Sequence, residues 1–298
     1  MGSFAVLGLL LVAIPQIAGR PLLMITGSMG DIHVFLIRIC GGVCLSSGLN
    51  IYLNYSSSDS YVRVALIFCV FLTAALESVV NIVTPISTKH KTDGATFGSF
   101  WLYKNIANAS AQLMFVFMSS EFYGHSQLNS RLNMHMMIDF VLNLFQGIGL
   151  MAYPSLMLQA LTNSKDFDDV EIILTQTYGA FCVGSGILSL LYSSALLNNN
   201  KRSVLLTRVL ETLAIIIFIL STNFTTKALE GHFQAALFVY ALISSTRSWC
   251  YSLTRRTSTF PRTIDAVLVL RRRGIDRELS INEFKFRDSY YRNCSCMK

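Results

Sequence analysis

The chain reads as long apolar runs separated by short polar, proline or glycine signals. A helix needs about 20 mostly apolar residues to cross a bilayer, and eight runs come close to that length. They predict helices near 4–22, 32–53, 62–84, 98–119, 134–153, 171–192, 203–221 and 232–252. The clearest run is Val204–Leu220, almost all Leu, Ile and Val apart from Arg208, Glu211 and two threonines. The weakest is 98–119, which carries Lys104, Asn105 and Asn108. The predicted fold is therefore all-α and polytopic, with about eight transmembrane helices.

The runs repeat. Gly8-x-x-Leu11-x-Ala13-x-Pro15 recurs as Gly147-x-x-Leu150-x-Ala152-x-Pro154. One helix later, Asp31, Gly41, Cys44 and Gly48 recur as Asp169, Gly179, Cys182 and Gly186, and Gly98-x-Phe100 returns more loosely as Gly231-x-Phe233. A period of roughly 138 residues predicts two copies of a four-helix unit, 1–130 and 131–252, followed by a tail, 253–298. An even number of helices per copy gives both copies the same orientation, so the repeats are expected to be parallel rather than inverted. Gly41, Cys44 and Gly48 share one helix face, as do Gly179, Cys182 and Gly186. Small residues on a face let helix backbones approach in lipid, where no hydrophobic drive exists between helices. The second helix of each copy is therefore expected to lie centrally, with Pro15 and Pro154 closing the first.

Composition sharpens this picture. Hydrophobic residues make up 52% of the chain and charged ones 14%, with a mean hydropathy of +0.49. Soluble domains carry about 25% charged residues, so a soluble nucleotide-binding enzyme and a disordered chain are both excluded. Of the 24 Lys+Arg, 11 lie beyond Leu253, against 5 acidic residues, so the tail holds nearly all of the net charge of +7. A basic segment beside a last membrane helix predicts a cytoplasmic C-terminus that can touch anionic lipid. Nucleic acid is not an expected partner, because that charge has no folded domain to display it. The expected partners are membrane lipids and a membrane protein or second copy of the chain, in the endoplasmic reticulum or plasma membrane. Cys40, Cys44, Cys69 and Cys182 fall within apolar runs and read as small hydrophobes. Cys250, Cys294 and Cys296 are candidate palmitoylation positions or unmodified thiols.

A resemblance follows from Ile37-Arg38-Ile39-Cys40-Gly41-Gly42, its counterpart Thr177-Tyr178-Gly179-Ala180, and the preceding Ala152-Tyr153-Pro154. Each half of the chain resembles the tumour-protein-p53-inducible protein 11 family of four-helix membrane proteins, here doubled. Cys40 stands where that family has an aromatic, and Gln176 where it has an arginine. The resemblance implies a non-catalytic membrane protein linked to restraint of proliferation.

Ionisable residues inside spans are costly and mark candidate functional positions. Arg38, Glu77 and Lys104 are expected at one level of the first copy. Asp139, Arg208, Glu211 and Arg247 are expected near the inner side of the second, with Arg208 and Glu211 paired at i, i+3. Such groups either fix helix register, snorkel to the interface, or line a path for a solute. The five histidines, His33, His90, His125, His135 and His232, have no HxxH or HExxH spacing, and no metal site or cofactor is predicted from them. His135 and Asp139, at i, i+4, could form a ligand or acid–base pair, but two lone residues at a helix start more often make a local hydrogen bond. No Walker loop, GxGxxG or GxSxG is present, so no enzyme is predicted. Asn54, Asn108, Asn223 and Asn293 head glycosylation tripeptides, of which only Asn223 faces outward in the expected topology. The favoured function is regulatory or scaffold-like, and the alternative is a small-solute or ion transporter.

Overall fold

The structure, a computed structural model, describes residues 2–23, 29–55, 57, 59–87, 106–107, 109–110, 113–114, 131–162, 166–195, 197–226, 229 and 240. It is all-helical in these residues. The helices are α1 (Gly2–Ala13), α2 (Pro15–Leu23), α3 (Asp31–Asn54), α4 (Ser60–Ser87), α5 (Arg131–Ala152), α6 (Pro154–Leu161), α7 (Asp169–Ser193) and α8 (Asn198–Thr226). All lie in one compact unit, Met1–Tyr251. Five of them, α3, α4, α5, α7 and α8, are long and apolar enough to cross a membrane. The spans expected near 98–119 and 232–252, with Lys104 and Arg247, lie outside the described residues apart from a few positions, as do the tail and Cys250, Cys294 and Cys296.

The first expected helix, 4–22, differs from the continuous run predicted. It is two helices of 12 and 9 residues, broken at Ile14. Proline has no N–H to donate into the helix ladder and its ring crowds the preceding turn, so the helix stops and restarts. Ile14 N donates to Leu10 O, and Ala18 N donates to Ile14 O, which carries the chain across the break. The same join is made at the other proline: Tyr153 N donates to Gly149 O, and Met157 N donates to Tyr153 O. Each proline is thus the first residue of the following helix, where its missing N–H costs nothing. The break also frees backbone carbonyls at the end of α5, and Gln176 on α7 donates to Met151 O at 3.0 Å to satisfy one of them.

The interior is largely apolar, as in a soluble protein, but much of the exterior is apolar too. Large apolar side chains face outward on α4, α5 and α8, among them Phe145, which is 73% exposed, with Ile148, Val83 and Ile217. The interior meanwhile holds Glu77, Asp139, Arg208, Glu211 and many serines and threonines. Soluble monomers rarely expose contiguous apolar faces of this kind. The arrangement is that expected of a membrane protein, whose solvent on those faces is hydrocarbon.

Two close helix contacts hold the bundle. On α3, Gly41 and Gly48 sit against α1: a Cβ at Gly8 would stand 2.7 Å from Gly41 O, and one at Gly48 would stand 3.2 Å from Ala5 N. On α7, Gly179 and Gly186 sit against α5: a Cβ at Gly147 would stand 2.7 Å from Gly179 O, and one at Gly186 would stand 3.0 Å from Phe140 O. At Gly8 and Gly147 a Cβ would clash with backbone, while at Gly48 and Gly186 it would be a tight contact, so small residues suit this close approach. Cys44 and Cys182 are buried on the same two helices, outside any disulfide. Beyond these pairs, α3 packs on α8, with Gly42 beside Phe218, and α7 packs on α4, with Gly184 beside Thr73. The helices α3 and α7 also touch each other, and both are mostly buried.

Candidate functional sites

The ionisable residues gather in two places. The first is a buried network that ties four helices together. Arg208 Nη1 on α8 donates to Glu211 Oε2 one turn further on, at 2.5 Å, and its Nε lies 3.7 Å from Asp139 Oδ2 on α5. Ser46 Oγ on α3 donates to Glu211 Oε2 at 3.1 Å and approaches Thr207 O at 3.3 Å. Ser189 Oγ on α7 donates to Asp139 Oδ2 at 2.6 Å. Arg208 is only 4% exposed, and both carboxylates are as deeply buried. In a low dielectric, an isolated charge of this kind is prohibitively costly, whereas paired and hydrogen-bonded charges persist. The guanidinium with its several donors suits two carboxylates better than an ammonium would.

Sequence reasoning foresaw the Arg208–Glu211 pair, since three residues on a helix are neighbours. The structure adds Asp139 to it. Asp139 accepts a hydrogen bond from Ser189 Oγ and lies within ion-pair distance of Arg208. The serines carried no warning in the sequence, because serine is ordinary in such helices. The other expected layer is different: Glu77 is buried on α4 and Arg38 half-buried on α3, and the two make no ion pair with each other among the described residues. A second polar cluster lies between α5 and α7, where Gln146 Nε2 donates to the hydroxyls of Tyr178 and Tyr240 at 3.0 and 2.7 Å.

The second gathering of ionisable residues is at the start of the two central helices. Asp168 caps α7: its carboxylate accepts the Glu171 N–H at 2.8 Å, while Glu171 Oε2 accepts the Asp168 N–H at 3.3 Å. This reciprocal capping box satisfies two orphan donors of the helix. His33, in the first turn of α3, reaches across and places Nε2 2.9 Å from Asp168 Oδ2 and Nδ1 3.6 Å from Glu171 Oε1. Burial pulls the Asp168 carboxyl upward, but the hydrogen bonds from His33 and the Glu171 backbone, with the His33 charge, prevail and hold it below its ordinary range. The Asp168-x-x-Glu171 spacing is a legible cap signature. That His33 would meet it depends on how α3 packs against α7, and no local pattern encodes that.

At the opposite ends of α3 and α7, amides and hydroxyls take over. Asn54, fully buried, donates to Asn50 O and Oδ1 and accepts from Ser203 Oγ on α8. Its place inside the bundle removes it as a glycosylation acceptor. Lys201 lies in the first turn of α8 at 0% exposure, and its Nζ donates to Asn133 Oδ1 at 2.7 Å.

An all-helical bundle with an apolar exterior, five helices fit to cross a bilayer and a charged interior is consistent with an integral membrane protein. Residues 1–253 match the family described as a domain of unknown function, DUF8292, and the chain belongs to that family. No curated protein and no solved structure matches it.

Proposed function

We propose that this chain is a non-enzymatic, multi-pass membrane protein of regulatory or scaffold type, built as two parallel four-helix repeats with eight spans and a cytoplasmic basic tail. The repeat is supported by the glycine contacts: Gly8 against Gly41 and Gly147 against Gly179 are equivalent pairs, one period apart. So are the joins at Pro15 and Pro154. The reciprocal packing of α3 on α8 and α7 on α4 fits two copies related by an axis along the membrane normal. The spans near 4–22, 98–119 and 232–252 and the side of the tail rest on the sequence pattern, as does residence in the endoplasmic reticulum or plasma membrane.

The observation that carries the functional reading is the network Ser46–Glu211–Arg208–Asp139–Ser189. Arg208 pairs with both carboxylates and Ser46 ties the group to the first half, which is the work of a register lock rather than of a site that must release a solute. The exposed apolar faces then serve lipid, a partner helix or a second copy. Restraint of proliferation, by resemblance, is the expected cellular context.

Ion or small-solute transport is the second reading, favoured by the depth of three ionisable groups within apolar spans. One experiment separates the two. The neutral variant Asp139→Asn, Arg208→Met, Glu211→Gln, once confirmed folded, is returned to cells lacking the protein. A lock of this kind predicts restored function, and transport through these charges predicts a folded but inactive protein.

A further inference from the structure

We propose that His33 Nδ1 and Glu171 Oε1, with Asp168 orienting the imidazole, bind a divalent transition-metal ion of the zinc class at the point where the two central helices begin. Each residue offers one ligand atom, and these atoms all lie within 4.8 Å of one another. The imidazole shows how such an ion is held. Its Nε2 is committed to Asp168 Oδ2 at 2.9 Å, so in the neutral ring Nε2 carries the proton and Nδ1 presents a lone pair. That lone pair faces the Glu171 carboxylate at 3.6 Å, too far for a hydrogen bond. Nδ1 is buried and has no hydrogen-bond partner. A buried lone pair aimed at a carboxylate is repulsive unless a proton or a metal cation lies between them, and at neutral pH the two compete for this position.

The spacing suits a metal. Zinc bonds to histidine nitrogen and carboxylate oxygen are about 2.0–2.2 Å long, which puts two ligand atoms of a tetrahedral site roughly 3.3 Å apart. The 3.6 Å from Nδ1 to Glu171 Oε1 needs a change of a few tenths of an ångström. Glu171 Oε1 is the oxygen that the capping box leaves over, since Oε2 accepts the Asp168 N–H. Asp168 holds the ring by its Nε2–H, the carboxylate–histidine arrangement that fixes tautomer and ring orientation at metal sites. Its side chain is 52% exposed, which gives the ion a way in and leaves water for the remaining positions. Two carboxylates balance a charge of +2. The donor set also selects: Mg²⁺ and Ca²⁺ prefer all-oxygen shells, and Cu(I) prefers sulfur.

A metal here clamps the first turn of α3 to the cap of α7, so it binds the folded bundle and not the unfolded chain, and stability must rise with its concentration. The test uses the full chain in lipid nanodiscs, stripped with chelator and titrated at neutral pH with Zn²⁺, then with Co²⁺ as a spectroscopic probe. The expected result is one equivalent bound per chain, a rise in melting temperature with Zn²⁺ but not Mg²⁺, and Co²⁺ absorption bands that Zn²⁺ bleaches. Glu171→Gln and His33→Gln should each abolish the metal-dependent rise. Asp168→Asn should weaken binding about 10–100-fold, as loss of an orienting partner does. Glu171→Gln nearly preserves shape, so its melting without metal confirms the fold; if it fails to fold, His33→Gln and the Co²⁺ spectrum of the parent carry the test. No stoichiometric binding to the parent would overturn the proposal. So would undiminished binding in His33→Gln, the outcome if Cys294, Cys296 or another histidine were the ligand.

Discussion

Two glycines on one helix, Gly147 and Gly149, should respond in opposite ways to the same added methyl group. A Cβ at Gly147 would stand 2.6 Å from Val183 Cγ2, 2.7 Å from Gly179 O and 2.8 Å from Val183 N. Two of these are backbone atoms of α7, which cannot step aside individually. Bringing them to an ordinary contact near 3.4 Å requires α5 and α7 to part by several tenths of an ångström. A gap of about 0.5–1 Å forfeits a quarter to a half of the dispersion energy of each contact it opens. Overpacking of this kind costs about 1–3 kcal/mol. At Gly149 the new Cβ meets only Met157 Cε, at 3.1 Å, the far end of a flexible side chain. Both substitutions gain the same helix propensity, about 1 kcal/mol for Ala over Gly, so their difference isolates the packing term. At about 2–4 °C per kcal/mol for a domain of this size, Gly147→Ala should melt roughly 2–12 °C below Gly149→Ala. The assay is thermal unfolding in detergent or nanodiscs, followed by tryptophan or dye fluorescence. If Gly147→Ala melts at or above Gly149→Ala, the close approach of α5 and α7 is wrong.

Other outcomes follow from the interior and the topology. Asn54→Ala should destabilise the protein by about 1–3 kcal/mol, because the buried amides and hydroxyl it serves lose a partner; glycosidase treatment of the expressed protein should find no sugar at that position. In sealed vesicles of cellular orientation, a cysteine at Asp93 should react with an impermeant thiol reagent while one at Ser280 is shielded. Equal labelling at the two positions would rule out the eight-span count.

The five long helices were legible because hydropathy and length suffice to define them: the run near 171–192 became Asp169–Ser193, and that near 32–53 became Asp31–Asn54. The run at 4–22 misled, because averaging over apolar side chains is blind to the one backbone donor that Pro15 lacks. The Arg208–Glu211 pair was legible since helix geometry makes it local. Asp139, Ser46 and Ser189 join it only through tertiary packing, and a lone serine in an apolar run carries no signal of its own. His33 illustrates the same limit. Its spacing from other histidines suggested no ligand role, but a repeat of roughly 138 residues sets it at the position equivalent to Glu171, and central helices packed in parallel bring equivalent positions together.

The claim that the intramembrane charges satisfy one another is tested most directly by a double-mutant cycle on Arg208 and Asp139, with stability measured by reversible unfolding in bicelles. Removing Arg208 alone strands two buried carboxylates, and breaking such a pair typically costs about 3–5 kcal/mol. In Arg208→Met with Asp139→Asn, one stranded charge is gone, so the combined loss should fall short of the sum of the single losses by about 0.5–3 kcal/mol. Losses that add to within about 0.5 kcal/mol would mean that Arg208 and Asp139 do not interact, and the charged link between α5 and α8 would not exist.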